Sequence, residues 1–212
     1  MKINTSCPVL VTGATGYIAG WVVKNLLDKG ITVHAPIRNL SNKGKRAHLD
    51  ELAENSSGQI KYFESDLLIE NSYKEAMEGC ELVIHTASPF VMDSKDPQKE
   101  VIDPAFIGTQ NILKTVNEVE SVKRVVLTSS VAAIYGNGVD AQSVDGGIFN
   151  ESMWNTTSTA TDGEYSYSKT IAEKEAWRIN EEQKRWDLVV INPSFVLGPS
   201  LNPDAMFESK KF

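Results

Sequence analysis

Tyr165 and Lys169 stand four residues apart in the run Tyr165-Ser166-Tyr167-Ser168-Lys169. On a helix that step puts both side chains on one face. A lysine ammonium one turn from a phenol stabilises the phenolate and lowers the tyrosine pKa toward the working pH, which makes an acid–base pair. A second polar set, Thr128-Ser129-Ser130, follows the apolar stretch Arg124–Leu127. A hydroxyl at the end of a strand can hydrogen-bond a substrate carbonyl, and ligands of open α/β sheets sit there. Each feature alone is ambiguous, because Tyr/Lys at this step arises in many helices and Thr-Ser-Ser after a strand is often a plain cap.

A third feature narrows the chemistry. Val11-Thr12-Gly13-Ala14-Thr15-Gly16-Tyr17-Ile18-Ala19-Gly20 joins a short apolar run to an amphipathic one. Gly13 permits a sharp turn off a strand, and Gly16 removes a side chain where backbone approaches a phosphate. Ala19 and Gly20 allow the following helix to pack close to the sheet. The helix N-terminus offers unpaired N–H groups and partial positive charge to a pyrophosphate. The spacing is Gly-x-x-Gly-x-x-Ala rather than Gly-x-Gly-x-x-Gly.

The residue that ends the second strand selects between the two nicotinamide dinucleotides, since a carboxylate there binds ribose hydroxyls and repels a 2′-phosphate. Here His34-Ala35-Pro36-Ile37-Arg38-Asn39 carries none. The Arg38 guanidinium can stack on adenine and hold a 2′-phosphate bidentately. Lys43, Lys45 and Arg46 follow within reach, although Lys43 and Arg46 equally suit the solvated start of a helix. This charge pattern favours NADPH over NADH.

These residues need a scaffold, and the hydrophobic pattern supplies one. Strands are expected at Val9–Thr12, Thr32–Ile37, Ile60–Phe63, Leu82–Thr86, Arg124–Ser129 and Asp187–Asn192. Helices are expected at Tyr17–Lys29, Lys43–Asn55 (exposed), Tyr73–Met77, from Asp96-Pro97 through Val119, and at Tyr165–Lys184. Val22/Leu26 and Val23/Leu27 carry the helical step, and Gly30 closes the first helix. Asp96 before Pro97 is a capping carboxylate ahead of a first-turn proline. Alternation of strand and helix implies an α/β fold, a doubly wound parallel sheet covered on both faces. Residues 136–163, rich in Gly, Asp, Ser, Thr and Asn, read as a long surface excursion of the kind that is functional or disordered.

Composition sets the outer bounds. The chain has 212 residues, enough for a core without disulfides or metals, and a net charge of −7. No basic track dense enough for nucleic acid is present, and the acidic balance disfavours anionic membranes. No apolar run spans a bilayer, and Met1–Pro8 lacks a signal-peptide pattern. Cys7 and Cys80 form no CxxC and are expected as free thiols in a reducing, cytoplasmic setting. His34 and His85 fall in strands and are expected to be satisfied by packing rather than to bind a metal; no metal cluster is apparent.

In this order, the motifs resemble the extended short-chain dehydrogenase/reductase family, and within it the dihydroflavonol reductase, cinnamoyl-CoA reductase and ketoreductase group. The resemblance is carried by the glycine turn, Arg38 with Lys45, Asp66-Leu67, His85-Thr86-Ala87-Ser88-Pro89, Thr128-Ser129-Ser130, Tyr165 to Lys169 with Thr170-Ile171-Ala172-Glu173-Lys174, and Asn192-Pro193-Ser194 leading to Gly198-Pro199. It implies a Rossmann-type, NADP-binding fold and NADPH-dependent reduction of a ketone or aldehyde, with that small-molecule carbonyl compound as the partner. Gly13, Thr15, Gly16, Tyr17 and Ile18 would surround the pyrophosphate, and Arg38 and Lys45 the 2′-phosphate. Asp66 would accept from the adenine amino group, with Leu67 beside it. Thr86, Ala87 and Ser88 would line the nicotinamide-ribose side. Tyr165 would donate the proton, Lys169 would hold the nicotinamide ribose, and Ser129 or Ser130, with Ser130 preferred, would bind the carbonyl. Pro193 and the backbone to Val196 would orient the carboxamide.

Members of the group continue well beyond the position of Pro199 with a stretch that completes a substrate lobe. The expectation is therefore a single NADP-binding domain over 1–212, with the substrate lobe largely missing, truncated after about 199. The stretch 198–212, ending in what reads as a helix start at Glu208–Phe212, should lack a partner within the chain. Two other readings stand beside the reductase. An NAD-dependent sugar-nucleotide epimerase or dehydratase is opposed by the missing carboxylate after the second strand. A non-catalytic NADP-binding protein or inactive fragment is opposed by the intact Ser, Tyr and Lys set and favoured by the absent lobe.

Overall fold

The computed structural model describes residues 4–88 and 94–202. Pro89 and the expected helix start at Glu208–Phe212 lie outside the described residues. Six strands form one parallel sheet: β1 (Val9–Thr12), β2 (Thr32–Ile37), β3 (Gln59–Glu64), β4 (Leu82–His85), β5 (Arg124–Thr128) and β6 (Asp187–Ile191). Their order across the sheet is β3-β2-β1-β4-β5-β6, so the chain reverses its direction of winding between β1 and β4. A crevice opens at that switch point, outside the carboxyl ends of the strands. The five α-helices among the described residues are α1 (Tyr17–Asp28), α2 (Ala47–Glu54), α3 (Lys74–Met77), α4 (Asp103–Glu118) and α5 (Glu164–Glu181). The doubly wound α/β fold expected from the pattern is the fold observed.

Two apolar layers sandwich the sheet. One packs Val23 and Leu27 of α1 and Leu49 of α2 against Val9, Val11, Val33 and Ala35. The other packs Ile112, Leu113 and Val116 of α4 and Ala176 and Ile179 of α5 against Leu10, Val83, Val125 and Leu188. Burying a side chain of this size contributes about 1.5–3 kcal/mol.

Three local expectations are corrected. The Lys43–Asn55 segment is not one exposed helix: Gly44–Arg46 forms a 3-10 turn, and α2 then buries His48 and Leu49. The helix expected from Asp96-Pro97 does start there, with Asp96 Oδ1 accepting from the Lys99 N–H at 3.3 Å. However, it runs as a π-helical turn over Gln98–Ile102 before α4. Pro104, at the start of α4, has no N–H to close an α turn onto that stretch. Residues 136–163 hold more order than a bare loop. Asn137 and Asp140 form a reciprocal cap on the 3-10 turn Gly138–Ser143, and Asn155 pins the segment to Ala132 and Ala133 through 2.8–2.9 Å bonds.

Cys7 and Cys80 are both free, as expected. No described helix is long and apolar enough to cross a membrane.

Candidate active site

Thr12, the last residue of β1, locks the crevice. Its fully buried hydroxyl accepts from the N–H of Thr86 at 3.1 Å and of Ala87 at 3.0 Å, and lies 2.7 Å from His85 Nδ1. Those two N–H donors take both lone pairs of the oxygen, so the hydroxyl donates its proton to Nδ1 and leaves the ring proton on Nε2. Burial, with Lys169 nearby, pushes the His85 pKa down to about 3 and keeps the imidazole neutral. The Thr86 hydroxyl donates back to the Thr12 carbonyl. The β1 and β4 ends are thus stitched side by side.

Gly13 completes the stitch. It adopts φ +67°, and a methyl group there would lie 2.9 Å from Ala87 Cα and 3.0 Å from Ala87 N, both backbone atoms. Gly16 caps α1, with its N–H bonded to the Gly13 carbonyl at 2.8 Å. Gly20 plays a different part from the one expected: a methyl there would meet only Leu201, at 3.9 Å, so Ala19, buried among the sheet residues, makes the close approach. Ser88 Oγ is buried and has no hydrogen-bond partner among the described residues.

At the far side of the sheet, Arg38 is exposed just beyond β2, while Asp66 follows β3 with Oδ1 accepting from the Leu68 N–H at 2.9 Å. Both charges act on the buried Tyr73 phenol, so the fold gathers them at one place. Lys45 is exposed in its turn. Arg46 is drawn away, its guanidinium 4.4 Å over the Tyr62 ring and 3.5 Å from Asp50. Leu67 sends its side chain against Gly108 of α4, and its carbonyl accepts from Asn111 at 2.7 Å. Its side chain packs on α4 while the residue stays beside Asp66 at the end of β3.

Tyr17, Ile18 and Val196 line a groove of about 550 Å³ along α1, together with Trp21, Leu26 and Gly198. Of the stretch 198–212, expected to be unpartnered, residues 198–202 are instead tied to α1 and the glycine turn, and 203–212 lie outside the described residues. The Tyr17 hydroxyl donates to Gly198 O at 2.7 Å, Trp21 Nε1 to Pro199 O at 2.9 Å, and Asn202 Nδ2 to Thr15 O at 2.9 Å. Pro193 follows β6 and accepts from the Val131 N–H at 3.0 Å.

The expected acid–base residues meet at the end of β5. Ser130 caps a short 3-10 turn, accepting from Ala132 N at 3.1 Å, and its side chain also hydrogen-bonds the Tyr165 hydroxyl. Lys169 Nζ lies over the Tyr165 ring, 5.7 Å from its centroid. One expectation is reversed: Lys169 does not bring the phenol pKa down. Burial raises it, and Ser130 is the group that pulls it lower. Lys169 itself is buried, which lowers its pKa to about 8, while Glu173 one turn on holds it up. Ser129 Oγ, by contrast, is buried and without a partner among the described residues. Ser168 donates to the Tyr165 carbonyl at 2.7 Å and is structural.

Glu173 and Asn192 belong to this cluster although they carried no chemical role in the sequence reading. Asn192 Nδ2 reaches Glu173 Oε2 at 2.8 Å and Ser130 O at 3.1 Å. The step of four from Lys169 to Glu173 was the available signal.

Comparisons with known proteins agree with this geometry. Residues 9–212 match the model of the NAD dependent epimerase/dehydratase family. Cinnamoyl-CoA reductase CAD2 of Medicago truncatula is 43% identical over 203 residues, covering 94% of this chain and 61% of that protein. Tetraketide alpha-pyrone reductase 1 of Arabidopsis thaliana is 39% identical over 198 residues, covering 92% and 59%. The crystal structure of Gre2 in complex with NADPH from Candida albicans superposes with a TM-score of 0.78 at 33% identity, covering 92% of this chain and 59% of that one. The chain thus spans about three-fifths of the length of these relatives. With its switch-point crevice, glycine turn and Ser-Tyr-Lys cluster, the chain belongs to the NAD dependent epimerase/dehydratase family, the extended short-chain dehydrogenases/reductases.

Proposed function

We propose that residues 1–212 form the NADP-binding domain of a reductase that converts a ketone or aldehyde to an alcohol. One observation carries the reading: buried Lys169 lies over the Tyr165 ring and is near enough to His85, at the end of β4, for its charge to lower that histidine's pKa, so the acid–base cluster adjoins the glycine crevice. Two features fit a dinucleotide there. The crevice is kept narrow at a position where only glycine fits, and two buried hydroxyls, Ser88 and Ser129, have no hydrogen-bond partner among the described residues. Gly13, Gly16 and the N-terminus of α1 would hold the pyrophosphate, with Thr15, Tyr17 and Ile18 contributing backbone. Arg38, with Lys45, would hold the 2′-phosphate, and Asp66 the adenine. Thr86, Ala87 and Ser88, with Pro193 and the Val196 backbone, would hold the nicotinamide end.

Bound there, NADPH supplies the hydride. The chain supplies the proton: the buried Tyr165 is held as a neutral phenol, the form a general acid needs. Ser130 shares that hydroxyl and so marks where the carbonyl oxygen would sit; its hydrogen bond, which pulls the phenol pKa lower, favours the phenolate left behind, and Lys169 would hold the nicotinamide ribose. The relatives' names support a small-molecule carbonyl substrate. The two free thiols suit a reducing, cytoplasmic setting. Titration with NADPH and NADH, followed by NADPH oxidation with a panel of ketones and aldehydes, tests the reading. Tighter NADPH binding with carbonyl-dependent oxidation is expected; equal affinity for NADH, or no binding, overturns it.

A further inference from the structure

The network behind the Ser130–Tyr165–Lys169 cluster has a definite wiring. After β5 and β6 end, their chains stay paired: Ser129 N–H donates to Ile191 O at 2.8 Å and Val131 N–H to Pro193 O at 3.0 Å. The register, with Thr128 beside Ile191, therefore puts Asn192 opposite Ser129 and within side-chain reach of the Ser130 carbonyl. A carboxamide nitrogen has two hydrogens. In Asn192 they bind Ser130 O at 3.1 Å and Glu173 Oε2 at 2.8 Å. Glu173 is 7% exposed, and its other oxygen accepts from Trp177 Nε1 at 3.4 Å. It lies one turn of α5 beyond Lys169, which is equally buried. A carboxylate is held in this interior only with hydrogen bonds and a counter-charge, and this one has both.

We propose that Glu173 and Asn192 act as positioning residues: Asn192 fixes the Ser130 backbone so that its hydroxyl meets Tyr165, and Glu173 anchors that amide while facing Lys169 with the opposite charge. The proposal rests on the reading of Tyr165, Lys169 and Ser130 as the acid–base site. The two members act differently. Losing the Glu173 charge removes what holds the Lys169 ammonium up against burial. Losing the Asn192 amide leaves the charge and frees Ser130, whose contact lowers the Tyr165 pKa. The groups facing Lys169 are Tyr165 and Glu173 on its own helix and His85 on β4. His85 is neutral through the physiological range, so Glu173 is the charge that matters.

Lysine ε-carbon and tyrosine ζ-carbon NMR titrations test this without turnover, with the resonances assigned by Lys169→Arg and Tyr165→Phe. Lys169 should titrate near 8 in the wild-type chain. Glu173→Gln keeps an acceptor for Asn192 and removes the charge, so the Lys169 midpoint should fall by about 1 pH unit or more. Asn192→Ala should leave Lys169 in place and raise the Tyr165 midpoint. If either variant does not fold, Glu173→Met, which also removes the charge, and Asn192→Ser, which replaces the amide with a shorter hydroxyl, carry the same two expectations. An unmoved Lys169 without the Glu173 charge, or an unmoved Tyr165 without the Asn192 amide, overturns the proposal. Failure of the reductase reading would show separately, as intact titration shifts in a protein that neither binds nor consumes NADPH.

Discussion

Replacing Gly13 with alanine should damage the crevice by an amount that a second glycine calibrates. Gly13 has φ +67°, a backbone state that costs an L-residue roughly 1–2 kcal/mol. Its new methyl would also press on Ala87 Cα at 2.9 Å and Ala87 N at 3.0 Å. Those atoms cannot rotate away, because Ala87 N–H is bonded to Thr12 Oγ1 at 3.0 Å. Overpacking of this kind costs about 1–3 kcal/mol. Gly79 has φ +76° with nothing within 4 Å, so Gly79→Ala bears the backbone cost alone. Gly13→Ala should therefore lose about 2–5 kcal/mol and Gly79→Ala about 1–2 kcal/mol. Urea unfolding midpoints with a shared m-value give the difference, and NADPH titration should show loss of binding only in Gly13→Ala. Equal destabilisation of the two variants, with cofactor binding retained in both, would refute the stitched-crevice account.

Other consequences are equally specific. Arg38→Asp should remove a preference for NADPH over NADH of about 1–3 kcal/mol and reverse it, read by paired titrations. Ser130→Ala should lower stability by about 0.5–2 kcal/mol, through loss of its cap on Ala132, and suppress carbonyl reduction. Ser129→Ala, which deletes a buried hydroxyl without a partner among the described residues, should be neutral or stabilising in the apo protein. Burial holds the His85 pKa at about 3, below its ordinary value of 6.5. Between these values the unfolded chain binds the extra proton, so this histidine's contribution to stability falls as pH drops from about 6.5 toward 3 and is unchanged above. His85→Gln should flatten that acid limb in urea unfolding measured at pH 7, 5 and 4.

Much of this was legible in the sequence because its physics is local. The glycine turn, the four-residue step from Tyr165 to Lys169 and the apolar runs of all six strands reflect periodicity and backbone freedom. What escaped depends on residues far apart in the chain. Gly58 gave no signal of its own, yet a methyl there would lie 2.6 Å from Ile31 O and 2.7 Å from Leu27 Cα. Leu67, in the loop after β3, packs on Gly108 of α4, and Asn192 bridges Glu173 and Ser130 because β6 lies beside β5. The direction of the Tyr165 shift was missed for a related reason. Spacing shows that lysine and tyrosine share a face, but not that both are buried there, where burial raises the phenol and Ser130 is the group that opposes it.

The central claim is that Tyr165 delivers the proton as hydride reaches a carbonyl carbon. Incubation with NADPH carrying deuterium at the transferable position of the nicotinamide, and mass analysis of the alcohol formed, measures this directly. The wild-type protein should place one deuterium on the carbinol carbon. Tyr165→Phe should bind NADPH with little change and form the labelled alcohol about 10²–10⁴-fold more slowly. Label transfer at an undiminished rate in Tyr165→Phe would contradict the account.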